Sequence, residues 1–290
     1  MISIVVISKD EPALDATLAD LAAERARVAD VTEVVVVDAS EGRLDHIRDA
    51  HPGVRWSSFS PPPGVRVSIP HQRNAGVRAA SGDVIVFTDA GCRPHAGWLQ
   101  RLIAPLEAGE HVVAGIATSP GGRGLHDTNA ARVAASEYLT ECPTINMGFR
   151  RTAFDAIGGF DERFEYGSDI DFTWRLVDAG FRIRCVADAV VEHDWGTPGR
   201  QLKRSYRYGR ARARLYRKHL RRLLTAPRTD PMVLVYPLFL LGLPIALRHR
   251  SYLALLLVPA WRNRAEGPVR VLADHLAFGL GVLREVGPRR

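Results

Sequence analysis

Residues Val84 to Asp89, VIVFTD, most constrain what this chain can fold into. Four successive large apolar residues, Val84 to Phe87, offer no polar face to solvent, which suits a strand buried on both sides of a sheet. The run stops at Asp89, and Ala90 and Gly91 follow with little side-chain bulk. In open α/β sheets ligands bind in the crevice outside the carboxyl ends of the strands, so an acid with small neighbours here can meet a phosphate or a cation. The same Thr-Asp-Ala-Gly segment would also serve as a plain strand-ending turn. The pattern recurs upstream, where Ile2 to Ile7 runs into Ser8 and Val34 to Val37 runs into Asp38.

Between these runs the spacing changes from strand to helix. Leu14, Leu18, Leu21 and Ala22 fall on one helical face, and 43–50 and 71–80 are helix-compatible, separated by a loop with Pro61, Pro62 and Pro63. Strand and helix in alternation predict an α/β fold with a mostly parallel sheet and right-handed crossovers, which gathers Ser8, Asp38 and Asp89 at one edge. No G-x-G-x-x-G follows the first strand, where Ser8-Lys9-Asp10-Glu11-Pro12 stands instead, and no P-loop is present. Further on, 112–117 reads as a strand and Gly121, Gly122 and Gly124 as a mobile surface loop. Gly158 to Asp161 reads as a turn. Ser168 opens a helix with Phe172, Leu176 and Ala179 on one face, and the strand-like 189–192 ends at His193.

Composition divides the chain. Residues 1–202 carry 20 Lys or Arg against 28 Asp or Glu, while residues 203–290 carry 19 against 4. An acidic globular body, 1–202, is therefore expected to precede a basic and hydrophobic helical region, 203–290, that meets an anionic surface. Residues 203–222 hold ten Lys or Arg and no acid, with Tyr206, Tyr208 and Tyr216 among them. Nucleic acid is one reading of such a segment. The uncharged runs that follow, 231–247 and 252–261, exclude it in favour of an anionic membrane surface. As a helix the first run would span about 25 Å against a bilayer core of about 30 Å. Pro237 and Pro244 would kink it, so a peripheral or re-entrant segment is expected rather than a clean span. Arg248, Arg250, Arg262 and Arg264 flank the runs and suit headgroups. The alternative is a helical subdomain whose apolar faces pack on a second copy of the chain, as a homo-oligomer. Three widely spaced cysteines, Cys92, Cys142 and Cys185, imply neither a disulfide framework nor a zinc ribbon, and a reducing compartment is the default. Ile2 has no basic region before it, so no secretion signal is read. Only Lys9, Lys203 and Lys218 stand beside abundant Arg and Ala, which points to a GC-rich bacterial genome.

Taken together, VVISKDEP, EVVVVDAS, QRNAGVRAASGDVIVFTDAGC, NMGFRR, GGFDERF, SDIDFTWRLVDAGFRI and VVEH resemble the family 2 glycosyltransferases of the GT-A fold, in the family's order and over about residues 1–195. The resemblance implies a Rossmann-like nucleotide-sugar domain flanked by helices. It also implies inverting transfer from a nucleotide diphosphate sugar with Mg2+ or Mn2+. Carried over residue by residue, it makes Ser8, Glu11, Asp38, Arg73 and Asp89 the nucleotide-binding candidates. Read from the residues alone, Asp38 could equally cap a helix and Arg73 pair with a surface acid. Asp89 matches the first acid of the Asp-x-Asp signature, but Gly91 occupies the place of the second, so one expected carboxylate is missing for a hard divalent ion. His193 matches a position that ligates the metal in some relatives, making Asp89 and His193 the metal candidates. NMGFR resembles the segment near sugar and acceptor. The acid after a Glu is the family's general base. Here Ser168 takes the Glu position, so Asp169 is the expected base and Asp171 the second choice.

The expected activity is inverting transfer to an acceptor hydroxyl at the cytoplasmic membrane face. A lipid-linked or cell-envelope glycan is the acceptor class. A non-catalytic, membrane-associated nucleotide-sugar-binding protein of the same fold is the alternative, and nucleotidyl transfer a third reading.

Overall fold

The structure, a computed structural model, describes residues 1–120, 133–262 and 267–287. The chain divides into two compact units, Met1–Asp194 and Trp195–Arg290. The composition change at 202 lies inside the helix Pro198–Lys218, whose first turn belongs to the second unit. Gly121, Gly122, Gly124 and Arg264 lie outside the described residues.

In the first unit the strands are β1 (Ile2–Ser8), β2 (Thr32–Asp38), β3 (Arg55–Ser58), β4 (Val84–Asp89), β5 (Cys92–Pro94), β6 (Val112–Thr118), β7 (Tyr138–Leu139), β8 (Asn146–Arg150) and β9 (Ile183–His193). Among the described residues they form one sheet in the order β3-β2-β1-β4-β8-β6-β9-β5, with β7 also on β9. Six of the nine point the same way, and β5, β7 and β8 run against them. The sheet is thus mostly parallel. Val34 to Val37 are buried, as are Ile85, Val86 and Phe87, on strands interior to the sheet whose side chains on both faces are covered by other elements.

The helices of this unit are α1 (Leu14–Arg25), α2 (Asp45–Ala50), α3 (Ile69–Ala79), α4 (Trp98–Glu107), α5 (Arg151–Ala156) and α6 (Ser168–Asp178). The apolar face expected of α1 differs from the one observed. Ala22 is exposed, whereas Thr17 and Glu24 are buried with Leu14, Leu18 and Leu21. Both polar side chains are inside because they hold loops: Glu24 accepts from Gly97 N at 2.9 Å and Leu99 N at 3.0 Å, capping the start of α4. α3 lies directly on β1 and β2. A Cβ on Gly76 would sit 2.3 Å from Val5 Cγ1 and 3.3 Å from Val37 Cγ2, so only glycine permits this approach.

The second unit is helical. Its elements are α7 (Pro198–Lys218), α8 (Leu220–Leu223), α9 (Ala226–Thr229), α10 (Met232–Leu241), α11 (Leu243–Ala246), a 3-10 turn (Arg250–Leu256), α12 (Leu257–Arg262) and α13 (Pro268–Val286). α7 and α13 meet backbone to backbone: a Cβ on Gly209 would lie 2.0 Å from Phe278 O, and one on Gly281 2.0 Å from Tyr206 O. Across this contact the buried carboxylate of Glu285 collects Arg210 at 3.1 Å, Arg214 at 2.9 Å and Arg217 at 3.7 Å. Burial alone would raise the Glu285 pKa, but Arg214 and Arg210 outweigh it and hold the carboxyl below its ordinary value. Arg212 pairs with Asp230 at 2.9 Å. At least four of the ten cations in 203–222 thus have carboxylate partners within the unit, two carboxylates serving four arginines, which their uninterrupted run in sequence conceals.

The apolar run 231–247 is broken at Gly242 into α10 and α11. Tyr252 Oη donates to Phe239 O at 2.9 Å, satisfying a carbonyl near the end of α10. Among the described residues no helix is long and apolar enough to cross a membrane. Gly76→Ala is expected to destabilise the fold by about 1–3 kcal/mol through overpacking. Urea unfolding would check this, and an unchanged midpoint would mean that α3 has room to lift.

Candidate active site

The register of the parallel strands builds the site's floor. Ser8 pairs with Asp38 across β1 and β2, and Ile7 pairs with Asp89 across β1 and β4. β2 and β4 flank β1 on opposite sides, so the strand order reverses here and a crevice opens at the carboxyl ends. Asp38 is buried, and its Oδ1 accepts from Ser40 Oγ at 2.6 Å. Ser40 Oγ in turn accepts from Asp10 N at 2.7 Å, tying the loop after β1 to the loop after β2. Asp10 and Glu41 both have positive φ, 55° and 53°, a conformation disfavoured outside glycine and concentrated at functional edges. Ser8 Oγ is buried without a hydrogen-bond partner.

Over this floor stands Arg73, buried on α3, whose Nη2 lies 3.5 Å from Asp89 Oδ1. Its guanidinium carbon is 6.0 Å from the Phe87 ring centre and 5.7 Å from that of Phe160, and its Nε has no hydrogen-bond partner. Asn74 fixes the turn carrying Phe160. It donates to Phe160 O and accepts from Phe160 N, both at 2.9 Å, and donates to Glu162 at 2.9 Å. Phe160 stacks on Phe172 of α6 with centroids 4.1 Å apart, which brings the first turn of α6 to the cluster.

The two acids of that turn have different surroundings. Asp169 is half-buried, and its Oδ1 accepts from Ile170 N at 2.9 Å. Burial pushes its carboxyl above the ordinary value, the negative charge of Asp89 adds to this, and Arg73 opposes it. Asp171 is fully buried and accepts from Arg175 Nε at 2.8 Å. Arg175 also donates to Ile157 O and Gly159 O, each at 2.7 Å, so Asp171 steadies the residue that clamps the glycine turn. Asp169, Asp89 and Arg73 form one electrostatic group, and Asp171 is engaged beneath it.

Gly91 explains its own departure from the Asp-x-Asp pattern: its φ is +88°, a left-handed conformation that strains an aspartate. Thr17 Oγ1 holds this turn, accepting from Gly91 N and donating to Cys92 O, both at 3.0 Å. Glu11 stands beside it, its Cδ 3.9 Å from where a Gly91 Cβ would be, and accepts from Ala13 N at 3.2 Å. His193 is the cross-strand partner of Cys92, with Nδ1 3.8 Å from Sγ. Burial, with the Asp89 charge behind it, pushes the Cys92 thiol up to about 12. All three cysteines are free and buried.

No three His, Cys, Asp or Glu side chains among the described residues converge on one cation position. Asp89 ends β4, and His193 lies across from Cys92, the first residue of β5, so the two metal candidates stand on adjoining segments. Two such donors are too few to hold Mg2+ or Mn2+ alone, so any such ion would take most of its ligands from phosphate oxygens and water.

Sequence reasoning missed Thr17, Asn74 and Arg175. A polar residue on the apolar face of α1 was the available signal for Thr17. NMGFR proves structural at its first residue. Asn146 is buried and donates to Ile116 O at 2.9 Å and Ala189 O at 2.8 Å while accepting from Trp98 Nε1 at 2.8 Å.

The raised pKa of Asp169 has a sign for stability. The folded state binds its proton more tightly, so stability falls as pH rises from the ordinary value near 3.8 to the folded one. Asp169→Asn is therefore expected to be more stable than the parent at pH 7, with the difference shrinking as pH falls towards 4. Thermal melts across this range would check it, and a variant less stable at pH 7 would contradict it.

Residues 3–160 match the family model described as glycosyl transferase family 2, and residues 89–262 match glycosyl transferase family group 2. A pre-mycofactocin glycosyltransferase of Mycobacterium tuberculosis is 32% identical over 163 residues, covering 51% of this chain and 34% of the relative. Glycosyltransferase AglE of Haloferax volcanii is 27% identical over 152 residues, 50% of each chain. The chain thus matches a third to a half of the length of these curated relatives. The mannosyltransferase PcManGT of Pyrobaculum calidifontis, solved in complex with GDP-Man and Mn2+, has a TM-score of 0.73 at 19% identity, covering 98% of this chain and 86% of that one. At that identity the likeness speaks to the fold, the α/β sheet of a GT-A type protein. The family 2 match takes in more than half of the sequence, including Ser8, Glu11, Asp38, Arg73 and Asp89, and the chain belongs to glycosyl transferase family 2.

Proposed function

We propose that this chain transfers a sugar from a nucleotide diphosphate sugar to an acceptor hydroxyl, with inversion at the anomeric carbon, at the cytoplasmic face of a membrane. The observation that carries the reading is the meeting of Arg73, Asp89 and Asp169 at the strand-order reversal, with Ser8 Oγ and Arg73 Nε left unpartnered. Buried donors without partners are costly in a folded protein unless a ligand takes them. The family match supports transfer, and the GDP-Man and Mn2+ of the mannosyltransferase neighbour support the donor class.

In this reading Ser8, Glu11 and Asp38 receive the nucleoside, and Arg73 faces the diphosphate. Asp89 and His193 would hold Mg2+ or Mn2+, which when bound supplies positive charge to the leaving diphosphate. Asp169 is the base. Its raised pKa strengthens it as a proton acceptor, and it removes the hydroxyl proton as the acceptor oxygen attacks the anomeric carbon. The carbon–oxygen bond to the diphosphate breaks on the opposite face, and its electron pair leaves with the phosphate. Asp171 acts by positioning, through Arg175. A lipid-linked or cell-envelope glycan is the acceptor class that suits a membrane face. Gly91 favours one competing reading, in which the same pocket binds the nucleotide sugar without turnover.

Asp169→Asn is expected to lower kcat by about 100-fold or more while leaving nucleotide affinity unchanged, because the base acts on the acceptor. Single-turnover assays beside calorimetry would check this, and joint loss of affinity and rate would displace Asp169 from the role. A thermal-shift screen of UDP, GDP and dTDP with and without Mn2+ tests the donor, since a nucleotide at a hundred times its Kd adds about 2.7 kcal/mol. Asp89→Ala is expected to weaken that nucleotide mainly when Mn2+ is present. Equal loss in EDTA would make Asp89 a direct contact, and no shift with any nucleotide would count against both readings.

A further inference from the structure

The second unit leaves an apolar face open. Leu238, Leu241, Leu247, Leu257 and Trp261 are each more than 60% exposed. Scattered exposed leucines are ordinary, but all five of these fall within the acid-free stretch 231–265, and Leu238 opens on a groove shared by three segments. Val235, Leu238, Leu255 and Val258, from α10, the 3-10 turn and α12, line one apolar groove of about 600 Å3, so the segments share a surface. From 231 to 265 the sequence has no Asp or Glu, and Arg248 and Arg250 are exposed without an ion pair among the described residues.

We propose that this face docks on an anionic lipid bilayer, with Leu238, Leu241, Leu247 and Trp261 in the acyl boundary and Arg248 and Arg250 at headgroup level. Charge favours a bilayer over a second copy. In an isologous dimer the same acid-free segment would meet itself, bringing cations together without carboxylates, whereas anionic headgroups complement them. The elements are short, and no helix among the described residues is long and apolar enough to span, which suits a segment lying in the interface. An exposed tryptophan also suits the headgroup boundary. Because Arg210, Arg212, Arg214 and Arg217 share Glu285 and Asp230, part of the charge of the basic helix is offset within the unit, and apolar insertion supplies a salt-insensitive share of the binding. The inference extends the membrane placement proposed above, but its test involves no turnover, so the two can fail separately.

The test is flotation of the full chain with vesicles of phosphatidylglycerol and phosphatidylcholine, or of phosphatidylcholine alone, at about 0.15 M and about 1 M salt. The full chain is expected to float with the anionic vesicles and to keep most of its binding at high salt. The combined Leu238→Ser, Leu241→Ser and Leu247→Ser variant, altered only at exposed positions, should bind about tenfold more weakly or worse. Arg248→Glu with Arg250→Glu should reduce the preference for anionic over neutral vesicles, and an unchanged preference would overturn their place at headgroup level. A full chain that ignores both vesicles, or a serine variant that binds as well as the parent, would overturn the proposal. So would a salt-resistant dimer in sedimentation that the serine changes dissociate, which would assign the face to a second copy.

Discussion

One buried cation organises the candidate site. Arg73 stands beside the edge-to-face pair of Phe87 and Phe160, 3.5 Å from Asp89 and within electrostatic reach of Asp169, so it joins a strand end, a turn and a helix start that lie far apart in the chain. Its position depends on Gly76, one helical turn further along α3, which lets the helix rest against Val5 and Val37. A buried guanidinium is costly unless its charge is answered. Here the answer from protein is partial: one carboxylate at 3.5 Å, two ring faces, and a bare Nε. That incompleteness is what makes the position suited to a phosphate.

The acids around it divide their work by burial and pairing. Asp171 and Asp169 are two residues apart on one helix, yet Asp171 is consumed by Arg175 while Asp169 keeps a raised pKa. Asp171, Arg175 and the carbonyls of Ile157 and Gly159 hold the turn that carries Phe160, and Asn74 grips the same turn from α3. Positioning groups and reactive groups therefore interleave within a few residues. Gly91 follows the same logic, since its left-handed backbone lets the chain turn from β4 into β5 and bring Cys92 opposite His193, at the expense of a second carboxylate.

Charge in the second unit follows a similar economy. A single buried glutamate at the α7 and α13 contact draws in three arginines, and glycines on both helices let the backbones close around it. The apolar segments that follow have no such internal partner for many of their leucines. The buried carboxylate is thus answered inside the unit, while Leu238, Leu241, Leu247 and Leu257 stay largely exposed beside a buried apolar set that includes Leu215, Val233, Phe239 and Val282.

Much of this was legible in the residues. Uninterrupted runs of Val and Ile demand burial on both faces, so Ile2 to Ile7, Val34 to Val37 and Val84 to Phe87 announce parallel strands, and the polar residues that stop them mark one edge. The register of β1, β2 and β4 bears that reading out. The order of short motifs pointed to family 2 before any geometry was known. Hydrogen-bond partners were not legible, because they come from segments distant in sequence: Thr17 on Gly91, Asn74 on Phe160, Arg175 beneath Asp171, and Glu285 among the arginines of α7. Local pattern determines which side chains must be buried, since burial follows from apolar content and period. Which buried or charged groups answer one another is decided only when the chain folds back on itself, because pairing depends on distances across the fold that no local spacing encodes.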